Sequence, residues 1–327
     1  MLAGQFTAPR KIELVEVPEP QLSQSNSGQI IFQPEVTCLC GSDLPFFDPD
    51  FEGHEIPMPS LLGKSLHEMV GSVIATNGSK FKVGDRILAV PEDQLGMFER
   101  FVLSEDRAIL LDPQVDEDHA MLAQPFGTVL YALKKLPNLL DLDVAVVGHG
   151  PIGQLFNAGL RKLGARHIIG IDPLQSRLNM SKRMGATETV CNASESPVEA
   201  VREICDGTLP DIVIEAVGHK CHAFNLCIDL CRRDGRMLYF GVSPMTVDNV
   251  RWRDLMLKSI TVHTSLHPDF VRDFPLAMRW IAEGRVDLRP LMTHRFPLSE
   301  IQTAFDVFRD RVDGAQKVVV DFPGKRN

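Results

Sequence analysis

The sequence lacks the features that would direct it to a membrane or to nucleic acid. No apolar run in its 327 residues approaches the roughly 18 residues that a membrane-spanning helix needs. Basic residues are not in excess, since 34 Lys and Arg face 43 Asp and Glu, for a net charge of −9. We therefore expect no membrane partner and no nucleic-acid partner. The first residues also lack the charged and apolar segments of a secretion signal, so the expected location is the cytoplasm.

Cysteine is scarce and odd in number, with 7 residues in the chain. In a long chain without a secretion signal, this count argues against a disulfide framework and for a reducing compartment. The 24 Gly and 22 Pro residues are too few for a collagen-like or linker-like chain. With 44% hydrophobic and 24% charged residues, the composition is that of a globular protein, and the length predicts about two domains.

The spacing of apolar residues divides the chain into three zones. Up to about residue 117, short apolar runs broken by Pro, Gly and Asp predict a domain of strands and turns, in the form of a small barrel. From residue 118, apolar strands alternate with amphipathic helices, which predicts a parallel sheet covered on both faces. The strands of this sheet are predicted at 144–147, 167–171, 212–215, 236–240 and 259–264. From about residue 267 the chain is too short for another such domain, and we expect it to fold back onto the first zone.

A glycine-rich turn follows the first strand of the second zone. The turn and the start of the next helix have the pattern G-x-G-x-x-G and contain Gly148, Gly150, Pro151, Ile152 and Gly153. Such glycines permit a tight turn and a close approach of the backbone to a pyrophosphate, which the free N–H groups of the helix then bind. Pro151 suits the first helical position because no hydrogen bond is lost there. The sequence therefore predicts a dinucleotide site.

Asp172 ends the next strand, about 20 residues after the glycines, where a carboxylate can accept both ribose hydroxyls. Because it would repel a 2′-phosphate, we expect NAD rather than NADP. Arg177 either covers the adenine ribose or is a solvated helix residue. His149, between the glycines, is expected to point to solvent.

A cysteine and a histidine follow apolar runs of the first zone. Cys40 begins the sequence Cys-Gly-Ser-Asp, and His67 with Glu68 precedes a strand. A thiolate and an imidazole are good zinc ligands, and a catalytic zinc needs three protein ligands and one open position. Taken alone, Cys40 is equally well explained as a small buried residue.

Two other groups have metal-like patterns that we do not favour. His54 also precedes a glutamate, but no glycine and strand follow it, so His67 is preferred. His219 is followed by further cysteine and histidine residues. Because Cys227 and Cys231 are four apart in an apolar helical pattern, we expect both to face the sheet rather than a metal.

Taken together, these motifs resemble the medium-chain, zinc-dependent alcohol and polyol dehydrogenase superfamily, nearest in pattern to sorbitol, threonine and glucose dehydrogenases. The matches follow one another along nearly the whole chain, at Cys40–Asp43, His67–Gly71, Val83–Arg86, Gly148–Gly153, Glu215–Gly218 and Thr293–Phe296. The resemblance implies an α/β protein in which a GroES-like β-barrel catalytic domain, residues 1–120 and 267–327, accompanies a doubly wound Rossmann domain, residues 121–266.

The resemblance implies one catalytic zinc ion held by Cys40, His67 and a third ligand. Polyol members place a glutamate at the third position, where this chain has Gln124. A carboxamide is a weaker ligand, although some sugar dehydrogenases resemble this chain in using it. The alternative is a weakened or empty site in which Gln124 only forms hydrogen bonds. No structural zinc is expected, because residues 87–105 contain no cysteine.

The resemblance also assigns catalytic and cofactor-binding roles. Ser42 would accept the substrate proton, and Glu68 would ligate transiently or act through water. Asp43 would orient the ligand imidazole, or else it is only a turn residue. For the cofactor, the implied residues are Val217 and Val242 at the nicotinamide and Lys317 at the pyrophosphate.

The implied function is the NAD(H)-dependent interconversion of a secondary alcohol and its ketone, with a polyol, sugar or cyclitol as the small-molecule substrate. Zinc would act as the Lewis acid. Two alternatives are a zinc-free reductase of an activated C=C bond and a non-catalytic dinucleotide-binding protein with a degraded metal site. A homodimer or homotetramer is expected by resemblance.

Overall fold

A computed structural model describes residues 1–48, 57–218 and 222–324. The chain forms two compact units. Unit 1 consists of Met1–Gln124, Phe270–Gly284 and Leu291–Asn327, and unit 2 of Pro125–Asp269 and Arg285–Pro290. Within the described ranges, no helix is long and apolar enough to cross a membrane.

The regular elements follow the alternation of apolar residues in the sequence. The strands are β1 (Leu2–Ala8), β2 (Lys11–Glu16), β3 (Gln29–Cys38), β4 (Glu68–Thr76), β5 (Arg86–Ala89), β6 (Phe101–Ser104), β7 (Ala108–Leu110), β8 (Asp143–Val147), β9 (His167–Ile171), β10 (Glu188–Val190), β11 (Ile212–Glu215), β12 (Arg236–Tyr239), β13 (Thr261–Thr264), β14 (Met292–Pro297) and β15 (Lys317–Asp321). The helices are α1 (Leu44–Phe47), α2 (Glu117–Met121), α3 (Ala123–Leu133), α4 (Pro151–Lys162), α5 (Gln175–Arg183), α6 (Pro197–Ile204), α7 (His222–Leu230), α8 (Trp252–Leu257), α9 (Asp273–Ala282) and α10 (Ile301–Asp310).

Unit 1 is built around a mainly antiparallel sheet. Its seven strands run in the order β14-β15-β3-β4-β5-β7, with β6 also paired to β3, while β1 and β2 form a separate hairpin. Its core contains the rings of Phe6, Phe47 and Phe305, the last on α10, packed edge-on or tilted against one another, with Phe305 5.6 Å from Phe6 and 5.1 Å from Phe47 between ring centroids. The register of β3 on β4 sets Cys38 opposite Glu68. The segments that carry Cys40 and His67 therefore lie at one end of this strand pair.

Unit 2 contains a six-stranded parallel sheet. Its order is β10-β9-β8-β11-β12-β13, which is the strand order of a doubly wound dinucleotide-binding fold. Every residue of β8 is buried, as expected for a central parallel strand with helices on both faces. The predicted fold class is confirmed, and the five strands predicted for this sheet are all present. The short edge strand β10 was not predicted.

Candidate active site

The chain turns sharply where it leaves β3, and Asp43 holds this turn. The carboxylate of Asp43 is fully buried, and its Oδ2 accepts the backbone N–H of Cys40 at 2.7 Å. Its Oδ1 accepts the hydroxyl of Ser65 at 2.8 Å and the backbone N–H of Leu66 at 3.0 Å. One side chain thus ties the Cys40 turn to the residues that lead into β4.

His67 is oriented by the same carboxylate. Its Nδ1 lies 3.5 Å from Asp43 Oδ1, and its Nε2 lies 3.5 Å from the hydroxyl of Ser42. Ser65 and Leu66, directly before it, both have positive φ, of 98° and 66°, a backbone conformation that is costly for residues other than glycine. Burial alone would lower the pKa of His67, but Asp43 and Cys40 outweigh it and raise this pKa well above its usual value. The Asp43 carboxylate and the Ser42 hydroxyl therefore lie beside opposite nitrogens of the imidazole.

Three chemically different metal donors converge beside this histidine. The Cys40 sulfur, a ring nitrogen of His67 and a carboxylate oxygen of Glu68 all lie within 4.8 Å of one another. Sulfur, nitrogen and oxygen donors in a partly buried setting are the ligands that zinc prefers. The donor set therefore fits the implied metal.

Two further buried residues, Cys38 and Lys317, contact the carboxylate of Glu68. Its Oε2 accepts the Cys38 thiol at 2.8 Å and the Lys317 ammonium, which also donates to the Leu39 carbonyl at 3.3 Å. Lys317 is only 1% exposed. The structure thus places Lys317 on Glu68, and its contact with a pyrophosphate stays a prediction. Neither Cys38 nor this ion pair was predicted from the sequence.

Gln124 is the second residue of α3 and is half-buried. It belongs to unit 1, as do Cys40 and His67. Its assignment as the third metal ligand stays a prediction.

In unit 2, the glycine-rich turn lies between β8 and α4. Gly148 has a φ of 94°, and a Cβ on Gly153 would lie 2.0 Å from the Gly148 carbonyl oxygen. Both positions therefore require glycine. Helix α4 starts at Pro151, and Gly150 before it offers no capping side chain. The first N–H groups of α4 therefore receive no bond from a capping side chain, as an anion-binding helix end requires.

Asp172 and Arg177 are paired at the end of β9. Oδ2 of Asp172 accepts the backbone N–H of His149 at 2.8 Å and lies 3.4 Å from the Arg177 guanidinium, while Oδ1 accepts the N–H of Leu174 at 2.9 Å. The side chain of Arg177 is 16% exposed, so it is not a solvated helix residue. Its contact with an adenine ribose stays a prediction.

The prediction that His149 points to solvent is wrong. The residue is 0% exposed, and its ring lies against the Val146 carbonyl and the hydroxyl of Ser181. The neighbouring polar groups stabilise the imidazole in the interior of unit 2, which no pattern in the glycine motif indicates.

Val217 and Val242 follow neighbouring strands, β11 and β12, and are 37% and 45% exposed. The buried carboxylate of Glu215 accepts the N–H groups of Val217 and Gly218, both at 2.9 Å, and that of Gly241 at 3.1 Å. One carboxylate thus joins both strand ends. Contact of the two valines with a nicotinamide stays a prediction.

A second group of possible metal donors lies in unit 2, formed by Asp143, His167 and Cys205. There Arg166 donates to both carboxylate oxygens of Asp143, and His167 Nδ1 lies 3.0 Å from one of them. These donors are satisfied by protein partners, so we interpret this group as an ion-pair network. Cys227 and Cys231 are buried in the core of unit 2, as predicted. His54 and His219 lie outside the described residues.

Comparison with known proteins agrees with this arrangement. The zinc-binding dehydrogenase family matches residues 151–283. L-threonine 3-dehydrogenase of Photorhabdus laumondii is 25% identical over 98% of both chains, and that of Salmonella paratyphi B is 26% identical over the same shares.

Solved structures share the fold. An alcohol dehydrogenase from Thermus sp. ATN1 has a TM-score of 0.83 and 23% identity, over 98% of this chain and 100% of the other. L-idonate 5-dehydrogenase from Escherichia coli has a TM-score of 0.83 and 20% identity, over 98% of both chains. The predicted combination of a Rossmann fold with a GroES-like catalytic domain is confirmed. Residues 151–283 thus match the zinc-binding dehydrogenase family, the chain is similar over nearly its whole length to dehydrogenases of this kind, and it is an oxidoreductase.

Proposed function

We propose that the chain is a zinc-dependent, NAD(H)-dependent dehydrogenase that interconverts a secondary alcohol and its ketone. The observation that carries this proposal is the convergence of Cys40, His67 and Glu68, because these donors have no evident purpose in a zinc-free reductase. The dinucleotide would bind at the glycine turn between β8 and α4 of unit 2.

Zinc would be held by Cys40, His67 and, as the third ligand, Gln124. Glu68, whose carboxylate lies within 4.8 Å of the Cys40 and His67 donor atoms, would replace one of the ligands transiently. When bound, the ion supplies a Lewis acid that lowers the pKa of the substrate hydroxyl and polarises the carbonyl in the reverse direction. Asp43 keeps the imidazole in place through Nδ1, which leaves Nε2 for the metal. Ser42, whose hydroxyl lies 3.5 Å from His67 Nε2, accepts the substrate proton and passes it to solvent.

NAD rather than NADP is the proposed cofactor. A buried carboxylate at Asp172 favours free ribose hydroxyls and opposes a 2′-phosphate. Arg177 lies beside it, but its charge is already paired with Asp172 and so offers less to a phosphate. The pairing supports NAD.

The names of the similar proteins support a small molecule with a secondary hydroxyl, within which we propose a polyol, sugar or cyclitol. L-threonine, named for the first relative, and L-idonate and butanediol, named for similar structures, are small molecules that carry a secondary hydroxyl. Each also has a second polar group next to the reacting carbon or further along the chain. We propose a substrate of this kind.

The test is a panel of polyols, sugars and cyclitols, with NADH formation followed by absorbance. We expect turnover of at least one compound by zinc-loaded protein and its loss in Cys40→Ala. Cys191→Ala is the matched control, because Cys191 lies in unit 2 and its thiol donates to the Pro173 carbonyl rather than to any of the metal donors. Equal activity of wild type and Cys40→Ala would contradict the proposal. NADH binding without turnover of any compound would favour a non-catalytic dinucleotide-binding protein.

A further inference from the structure

The imidazole of His149 occupies a buried polar site directly behind the glycine turn. Its Nε2 lies 3.0 Å from the Val146 carbonyl, and its Nδ1 lies 2.8 Å from Ser181 Oγ and 3.3 Å from Asn157 Nδ2. The carbonyl can only accept, so Nε2 carries the proton and Nδ1 accepts. A Cβ on Gly170 of β9 would lie 2.9 Å from the ring, so β9 leaves room for this side chain.

The contacts of His149 join four elements of unit 2. Val146 belongs to β8, Gly170 to β9, Asn157 to α4 and Ser181 to α5. The backbone adds two more contacts, because the N–H of His149 donates to Asp172 and its carbonyl accepts Gln154 Nε2 at 3.1 Å.

The same network reaches the residues expected to bind the adenine ribose. Ser181 Oγ and Gln154 Nε2 each lie 2.9 Å from the carbonyl oxygen of Arg177. The Arg177 guanidinium in turn pairs with Asp172. The backbone N–H of His149 thus bonds to Asp172 directly, while its ring lies beside Ser181, whose hydroxyl is also close to the carbonyl of Arg177.

We propose that His149 is a positioning residue for the adenosine half of the dinucleotide. Its ring fixes the glycine turn against α5. The phosphate-binding N–H groups and the Asp172–Arg177 pair therefore keep a constant distance and orientation relative to each other. The inference rests on the proposed binding of NAD(H) and goes beyond it, because a side chain that never contacts the cofactor would set its affinity. Burial lowers the pKa of His149 to about 4, so the ring stays neutral and the placement is constant near neutral pH.

The experiment measures binding of NADH, by its fluorescence, and of ADP-ribose, by displacement of NADH. We expect His149→Ala to weaken both about tenfold, which corresponds to about 1.4 kcal/mol, the order of one or two buried hydrogen bonds. Equal losses are expected because ADP-ribose contains the adenosine half and lacks nicotinamide. Ser181→Ala is a smaller change and should weaken the binding of both NADH and ADP-ribose, but less than His149→Ala does. The double variant should bind these ligands no more weakly than His149→Ala alone.

His167→Ala is the matched control, since His167 is a partly buried histidine at the opposite end of β9. Both histidine variants should lower the melting temperature, but only His149→Ala should lose affinity. Wild-type affinity in His149→Ala, or an equal loss in His167→Ala, would overturn the inference while leaving the proposed function intact. If wild-type protein binds neither NADH nor NADPH, the proposed function fails first, and this inference with it.

Discussion

Asp43 and Asp172 show how a single buried carboxylate can organise backbone around a site. Each is almost fully buried, and each accepts backbone N–H groups from two places in the chain. Hydrogen bonds to a charged acceptor are stronger than those between neutral groups. At the scale of residues, these carboxylates therefore fix the turns around which the metal and dinucleotide residues are arranged.

Asp172 also provides the most direct test of cofactor choice. We expect Asp172→Gly to raise the kcat/KM for NADP relative to that for NAD, because the charge that opposes a 2′-phosphate is removed and Arg177 is freed to bind it. Comparing the two cofactors in one variant cancels any general loss of stability. An unchanged NADP to NAD ratio would show that Asp172 does not select the cofactor.

Glu35 is a buried carboxylate without a side-chain hydrogen bond to any residue that the structure describes. It lies at a bulge of β3, and neither of its side-chain oxygens has a hydrogen-bond partner among the described residues. Because unpaired buried polar groups are costly, we expect Glu35→Met to raise the free energy of unfolding by about 1–3 kcal/mol. Urea denaturation measures this change. The control is Glu16→Met, at an exposed site of β2, which should change the free energy of unfolding by less than about 0.5 kcal/mol. If Glu35→Met is instead less stable than wild type, the Glu35 carboxylate has a partner and this interpretation is wrong.

At the scale of elements, the pairing of β3 with β4 places the metal residues. A Cβ added to Gly71 on β4 would lie 2.1 Å from the backbone oxygen of Gln33 on β3. We expect Gly71→Ala to separate the two strands and to cost about 1–3 kcal/mol of unfolding free energy, again measured with urea. Gly41→Ala is the control, because no atom lies within 4 Å of its added Cβ. Equal stability of the two variants would contradict this account of the strand pair.

The predictable elements are those with strong apolar periodicity. Strands β8 and β9 were predicted to within a residue, because central parallel strands are continuous apolar runs. Strand β10 was not predicted, since its three residues Glu188–Val190 alternate too briefly to show a period. Helix α4 was predicted from Pro151, which is a local signal.

Only those residues of the candidate site that lie in a recognisable sequence motif could be predicted from the sequence. The sequence predicted Cys40, His67 and Glu68 as neighbours through resemblance, and the structure brings them together. The contacts of Glu68 with Cys38 and Lys317 depend on strand register between distant segments, which no local pattern contains. Local patterns also could not show the burial of His149, because its partners come from α4, α5 and β8.

At the scale of the whole molecule, the residues proposed to bind the metal and those proposed to bind the dinucleotide belong to different units. The metal residues lie in unit 1 and the glycine turn in unit 2, each with its own hydrophobic core. Any ligand that binds only folded protein stabilises it by RT ln(1 + [L]/Kd), where [L] is the free ligand concentration. Metal and dinucleotide should therefore each raise the stability of the chain.

Thermal unfolding tests this expectation. NADH at about 100 times its Kd should raise the free energy of unfolding by about 2.7 kcal/mol, whereas NADPH at the same concentration should raise it less. A zinc chelator should lower the melting temperature of wild type but not that of Cys40→Ala. An equal shift with NADH and NADPH would contradict the proposed cofactor preference.

Cobalt substitution tests the metal centre most directly. Co²⁺ replaces zinc in such sites, and a thiolate ligand gives a charge-transfer absorption in the near ultraviolet. Cobalt-loaded wild type and Cys38→Ala should both show this band, because Cys38 contacts Glu68 rather than the metal. Cys40→Ala and His67→Ala should bind cobalt more weakly, and Cys40→Ala should lack the band. A band that survives in Cys40→Ala, or its absence from wild type, would contradict the claim that Cys40 and His67 hold a catalytic metal.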